Sequence, residues 1–121
     1  MHEMSLALGI LGLLEEAARR EKAARVKAVW LELGALSAAE PQAIAFCFEA
    51  VTRGTVAEGA RLTIEAIPGR AWCLPCMEST VIARRGDPCP HCGGYQLHLA
   101  DGTQMRVREM EIESQRAPDV H

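Results

Sequence analysis

The chain has 121 residues, 49% of them apolar and 24% charged, with a formal net charge of -3. That length makes one average domain or two very small ones. Mild acidity and an aromatic content of only 4% argue against nucleic acid and anionic membranes, whose binders use basic patches and stacking side chains.

The first predicted element runs from residue 4 to about residue 20. Met4, Leu8, Leu11, Leu14 and Ala18 recur there at helical spacing,. Arg19, Arg20 and Lys22 suit its C-terminal end, where the helix dipole favours cations. The apolar run of residues 4–14 is too short to span a bilayer. No basic segment precedes it and no cleavage site follows, so it does not read as a secretory leader. A cytoplasmic chain is expected. Thiols stay reduced in that compartment, so paired cysteines there suggest metal or redox chemistry before disulfides.

Next comes VKAVWLELG, in which Val29, Leu31 and Leu33 are set against Lys27 and Glu32, a half-buried strand ending at Gly34,. Ser37-Ala-Ala-Glu40 has the spacing of a capping box. It opens a second helix through about Val51, with Ile44, Cys47, Phe48 and Val51 on one face; Pro41 is tolerated that early,. Residues 52–59 read as a loop. RLTIEAI then alternates Leu62, Ile64 and Ala66 against Arg61, Thr63 and Glu65, a second strand,.

From residue 70 to about 100 the composition changes. Four of the five cysteines and three of the six prolines lie there. After the Asp101-Gly102 turn dipeptide, TQMRVREMEIE reads as a third long strand. Met105 and Val107 share one face, with Met110 and Ile112 out of phase, which points to a bulge near Arg108 or Glu109,. The expected architecture is α+β. A small three-stranded sheet with two helices comprises residues 1–69 and 101–113, and a cysteine domain over residues 70–100 is inserted in it. Residues 114–121 read as a flexible tail.

Cys73-Leu-Pro-Cys76 and Cys89-Pro-His-Cys92 are separated by twelve residues. Two residues between cysteines let both sulfurs of a tight turn reach one ion, and a second such turn closes a tetrahedral site. Some thirty residues cannot bury a sufficient core alone, so a bound metal must supply folding energy. Zn²⁺ in a structural site is the expectation, since four thiolates leave no position open for catalysis. The same spacing also suits a single iron, a redox dithiol or a nucleic-acid-binding ribbon. For the last of these, Arg70, Arg84 and Arg85 are the only local cations of note. His91 and His98 lie close enough to replace a cysteine, but with four thiols present they are expected beside the ligand set or in solvent. Cys47 is expected to be a buried small hydrophobe.

The chain begins MHE. The α-amine of Met1, the amide nitrogen of His2 and His2 Nδ1 can chelate one ion in fused five- and six-membered rings, a nitrogen set suited to square-planar Ni(II) or Cu(II). Glu3 can add its amide, its carboxylate or only its charge. Binding needs a neutral imidazole and displaces an amide proton, so affinity should fall as pH drops through the histidine range near about 6.5. Against this, Glu3 also suits the start of a helix, and Glu40 is already explained by its capping position.

MHEMS, LGALSAAEP, FCFEAVTRGT and the CxxC-x12-CxxC array before a last strand resemble, in matching order from residue 1 to about 113, the HypA/HybF family of hydrogenase nickel-incorporation proteins. The resemblance implies a nickel-binding α/β domain with an inserted zinc ribbon. It implies Ni²⁺ held by His2 with Met1 and Glu3, and Zn²⁺ held by Cys73, Cys76, Cys89 and Cys92. It places an acidic residue, here Glu40, near the nickel site in some members. It further implies delivery to the [NiFe]-hydrogenase large subunit with a HypB-type GTPase, and service to urease maturation in some members.

The competing reading is a zinc-ribbon module that binds protein or nucleic acid without nickel chemistry, and a rubredoxin-like electron carrier is a third. No Ser/His/Asp arrangement, phosphate loop or acid–base pair is recognisable, so an enzyme is not expected.

Overall fold

The computed structural model describes residues 2–114. Helix α1 spans His2–Glu21, beginning two residues earlier than its apolar pattern suggests. It buries Ala7, Ile10, Leu11, Leu14 and Ala18, whereas Leu8 is 53% exposed. The inward stripe is therefore rotated from the expected one. Small Ala7 and Ala18 lie on the buried side, where α2 packs, and small side chains permit close approach of two helices. Lys22 ends α1 in the left-handed region, φ 53°, and strand β1 (Ala23–Gly34) follows at once.

Strand β1 is central in a three-stranded sheet of order β2-β1-β6, flanked by β2 (Arg61–Ile67) and β6 (Met105–Ser114). Its central position pairs both of its edges. Ala28 is as buried as Val29, Leu31 and Leu33, which corrects the expectation of a half-buried strand. Lys27, expected opposite Val29, shares its sequence parity and is nonetheless exposed, because the buried parity changes between Ala28 and Val29. In β6 the alternation breaks at the exposed pair Arg108 and Glu109. Gly34 N donates to Gln104 O at 2.8 Å. The register this sets also opposes Glu32 to Arg106, Lys27 to Glu111 and Arg25 to Glu113, all ion-paired. The phase change thus occurs without the inserted residue of the expected bulge.

Helix α2 spans Pro41–Val51 and buries Ile44, Cys47 and Phe48. Its N-cap is Glu40, whose carboxylate accepts from Gln42 N at 3.0 Å. Glu40 itself caps the helix, in place of the expected Ser37–Glu40 capping box. Pro41, at the first helical position, lacks the N–H that would need a partner there. The C-terminal end is closed by Thr52, buried, whose hydroxyl donates to Phe48 O at 2.8 Å.

The cysteine region builds a second sheet, with strands no apolar period foretold. Strand β3 (Gly69–Cys73) pairs antiparallel with β4 (Glu78–Ile82) and with β5 (Leu97–Asp101), in the order β4-β3-β5. The core of this sheet is Ala71 and Ile82 with the half-buried Leu97, completed by Leu36 from the segment after β1.

The chain forms two compact units. Among the described residues, one comprises residues 2–31, Ala39–Thr63 and residues 107–114; the other comprises Glu32–Ala38 and Ile64–Arg106. In the second unit, Leu36 N donates to Gly102 O and Ala35 N to Ile67 O, both at 2.8 Å. The backbones of Gly34 and Gly102 meet so closely that a Cβ on Gly34 would collide with the Gly102 carbonyl. Gly102 itself takes φ +86°, a conformation that glycine alone adopts freely. Ser114, expected in the tail, ends β6; the rest of that segment lies outside the described residues. Among the described residues no helix is long and apolar enough to cross a membrane.

Candidate metal centres

Cys73 ends β3, and the chain turns back after it through Leu74, Pro75 and Cys76. Met77 N donates to Cys73 O at 2.8 Å, with Met77 at φ 53°. The second turn repeats this construction. Gly93 N donates to Cys89 O at 2.8 Å, with Gly93 at φ +74°. In each turn the residue four after the first cysteine closes the loop from a left-handed conformation, and only the second turn places glycine there.

The two turns bring all four sulfurs within 4.8 Å of one another. Cys73 Sγ lies 3.7 Å from Cys92 Sγ, and Cys76 Sγ 3.9 Å from Cys89 Sγ. A tetrahedron of sulfurs about 2.3 Å from a central zinc has edges of about 3.8 Å. Two of the six sulfur–sulfur separations thus match the edges of such a site. Amides support them: His91 N lies 3.4 Å from Cys89 Sγ, and Gly94 N 3.4 Å from Cys92 Sγ. These N–H groups favour thiolate over thiol.

The protonation pattern of the cluster is polarised. Amide hydrogen bonds from Cys92 and His91 bring Cys89 down to about 6 against the opposing effect of burial. Hydrogen bonding to Cys73 and Cys92, together with burial, pushes Cys76 up to about 12. Cys73 is raised too: the Cys76 amide favours its thiolate, but burial and the neighbouring thiols outweigh it. Four thiols this close cannot all ionise unless a cation offsets their charge. The donor set and its spacing fit Zn²⁺, and Cys73, Cys76, Cys89 and Cys92 would hold it. Zinc bound there would supply folding energy, and a closed four-sulfur shell leaves no vacancy for catalysis.

The imidazoles of His91 and His98 stand outside this sulfur group. His91 contributes its backbone amide, and His98 pairs across the strands with Trp72. Arg85 is held in structure, its Nε donating to Leu36 O at 2.9 Å. Leu36 is the residue that sequence reasoning missed; Arg85, read there only as a local cation, is bound to its carbonyl. The available signal was a lone leucine in an otherwise small and polar connection. Cys47 is 5% exposed on the buried face of α2, as expected of a small hydrophobe.

At the other candidate site, His2 and Glu3 form the first turn of α1. His2 is 52% exposed at its side chain and Glu3 16%, with His2 Nδ1 3.7 Å from Glu3 Oε1. Glu3 Oε2 accepts from the backbone N–H of Glu40 at 3.2 Å, across thirty-seven residues of sequence. Hydrogen bonds from its own amide and from that of Glu40 hold the Glu3 carboxyl below its ordinary value. Glu40 thus lies beside Glu3, at the N-terminal end of α2. Met1, the third expected nickel ligand, lies outside the described residues.

The profile of a family described as "Hydrogenase/urease nickel incorporation, metallochaperone, hypA" matches residues 1–112. The chain is similar to the hydrogenase maturation factor HypA of Albidiferax ferrireducens, 57% identical over 113 residues that cover 93% of this chain and 100% of that one. The HypA of Azotobacter chroococcum is 58% identical with the same coverage. Among solved structures, the solution structure of the Ni metallochaperone HypA from Helicobacter pylori shares the fold, with a TM-score of 0.68. It is 22% identical and covers 93% of this chain and 98% of that one.

Proposed function

This chain belongs to the HypA family of hydrogenase/urease nickel-incorporation metallochaperones, and from that premise we propose that it binds Ni²⁺ at residues 1–3 and passes it on during hydrogenase maturation. The family makes it a maturation factor and not an enzyme.

The observation that carries the reading is the placement of His2. It stands at the exposed start of α1, beside the carboxylate of Glu3, which is itself joined to the Glu40 backbone. The first four amides of a helix have no partner within it, so the amide of His2 is not consumed by α1 and can serve a chelate. His2 Nδ1, the His2 amide and the Met1 amine supply three nitrogens, and Glu3 stands beside them. The Glu3 carboxylate, in the first turn of α1, offsets the positive helix end that would otherwise repel a cation. A terminal, solvent-facing set of this kind can release its ion by stepwise ligand exchange.

In the same reading, residues 1–69 and 101–113 carry the nickel chemistry and residues 70–100 the structural zinc at Cys73, Cys76, Cys89 and Cys92. The partners are a HypB-type GTPase and the [NiFe]-hydrogenase large subunit, with urease maturation as a further use, and the chain works in the cytoplasm. Nickel is cargo and zinc resident.

Calorimetric titration with Ni²⁺ tests this. Wild type is expected to bind one ion, with binding lost in His2→Ala and in a variant carrying one extra residue before Met1. Unchanged affinity in both variants would remove residues 1–3 as the site.

A further inference from the structure

Glu3 is the residue of the MHE triplet whose role the sequence leaves open among amide, carboxylate and charge. We infer that the Glu3 carboxylate is a positioning group for nickel binding and not a donor: it fastens the first turn of α1 to the start of α2 and so holds His2 in place. This rests on the nickel-binding reading above and deepens it.

Three observations point the same way. Glu3 Oε2 already accepts from Glu40 N at 3.2 Å. That amide lies just ahead of α2, where backbone N–H groups lack helical partners and a carboxylate is well placed to receive them. Next, Glu3 is the shielded member of the pair, 16% exposed against 52% for His2, whereas a donor competing for an incoming ion would face the solvent. Finally, Glu40 is held in its turn, its own carboxylate accepting from Gln42 N at 3.0 Å. The receiving amide is therefore a fixed point and not a mobile loop.

The physical need is plain. Chain ends fray unless tied down, and a chelate on a fraying turn loses affinity to the entropy of ordering it. Tying residue 3 to a rigid helix start removes that cost before nickel arrives. Recruiting Oε2 as a ligand would break the tie at the moment of binding.

The experiment uses full-length, zinc-loaded protein in four forms: wild type, Glu3→Gln, Glu3→Ala and His2→Ala. Ni²⁺ affinity is measured by calorimetry, the donor set by the ligand-field absorption of the nickel complex, and the tie by amide exchange at Glu40 without nickel. Glutamine keeps a carbonyl acceptor for the Glu40 amide. Glu3→Gln is therefore expected within about threefold of wild type, and Glu3→Ala about tenfold weaker. All three complexes should show one ligand-field spectrum, and Glu40 protection should fall in Glu3→Ala alone. If Glu3→Gln is as weak as Glu3→Ala and both spectra shift, the carboxylate is a donor and the inference is wrong. Equal affinity for Glu3→Ala and wild type overturns it as well. Failure of the nickel-binding reading is recognised separately, by His2→Ala binding as wild type does, whereas failure of the tie shows in Glu40 exchange without metal.

Discussion

The sulfurs of Cys73 and Cys92 lie 3.7 Å apart, although the two residues are nineteen positions apart in the chain. The apolar support beneath them is small among the described residues. Cys92 is exposed, and the core beneath the second sheet is Leu36, Ala71 and Ile82 with Leu97. Such a core is too small to hold two turns in register without a central ion. Cys89→Ala is therefore expected to release zinc and abolish amide-exchange protection across residues 70–100, while α1 and α2 stay protected. Elemental analysis and exchange by mass spectrometry read both effects, and protection matching wild type would defeat the structural-zinc reading.

Leu36 supplies the apolar support of the second sheet. It is 2% exposed among Ala71, Ile82 and Leu97, and its carbonyl is held by Arg85. Leu36→Ala should cost about 3 kcal/mol, the usual loss for a buried leucine with incomplete collapse of the cavity. Urea unfolding of the zinc-loaded protein measures this. A loss below about 1 kcal/mol would mean the second sheet does not depend on the segment after β1.

These residues mark where the sequence was readable. The two helices, β1, β2 and β6 carry apolar periods of 3.6 or 2, and the four cysteines carry a spacing that follows from coordination geometry. Both kinds of signal are local. Strands β3, β4 and β5 were not legible because they are five residues each and ordered by their pairing and by the cysteine turns. Leu36 was illegible for a related reason: its burial is decided by residues more than thirty positions away. The capping box failed on a competition between two acceptors. Glu40 could cap with its own side chain directly before Pro41, which left Ser37 outside the helix. The period of α1 was right, but its phase was set by where Ala7 and Ala18 could pack, a preference that apolar spacing alone cannot express.

Gly34 and Gly102 meet backbone to backbone, so a side chain on Gly34 has nowhere to go. Gly34→Ala drives its Cβ into the Gly102 carbonyl and the Thr103 amide, which are main chain and cannot swing aside as a side-chain tip would. The Leu36 N to Gly102 O hydrogen bond depends on that same approach. A destabilisation of about 2 kcal/mol or more is expected, at the upper end of ordinary overpacking. Thermal unfolding checks it, and a variant as stable as wild type would show that the close approach is not required.

Gly9 and Gly12 present the opposite case. Both lie inside α1, and a Cβ built on either meets nothing within 4 Å. Neither has a left-handed φ or a close neighbour to justify a glycine. Glycine in a helix interior costs roughly 0.5–1 kcal/mol relative to alanine, through backbone entropy lost on folding. Gly9→Ala should therefore stabilise the protein by that amount, acting mainly on the unfolded chain. In a chain of this size about 1 kcal/mol raises the melting midpoint by about 4 °C. The gain should add to that of Gly12→Ala, since neither new methyl group touches a neighbouring element. Calorimetric melting of both single variants and the double variant decides the matter. A destabilised Gly9→Ala would mean that the exposed side of α1 is covered in solution, with the glycine retained to let that cover approach.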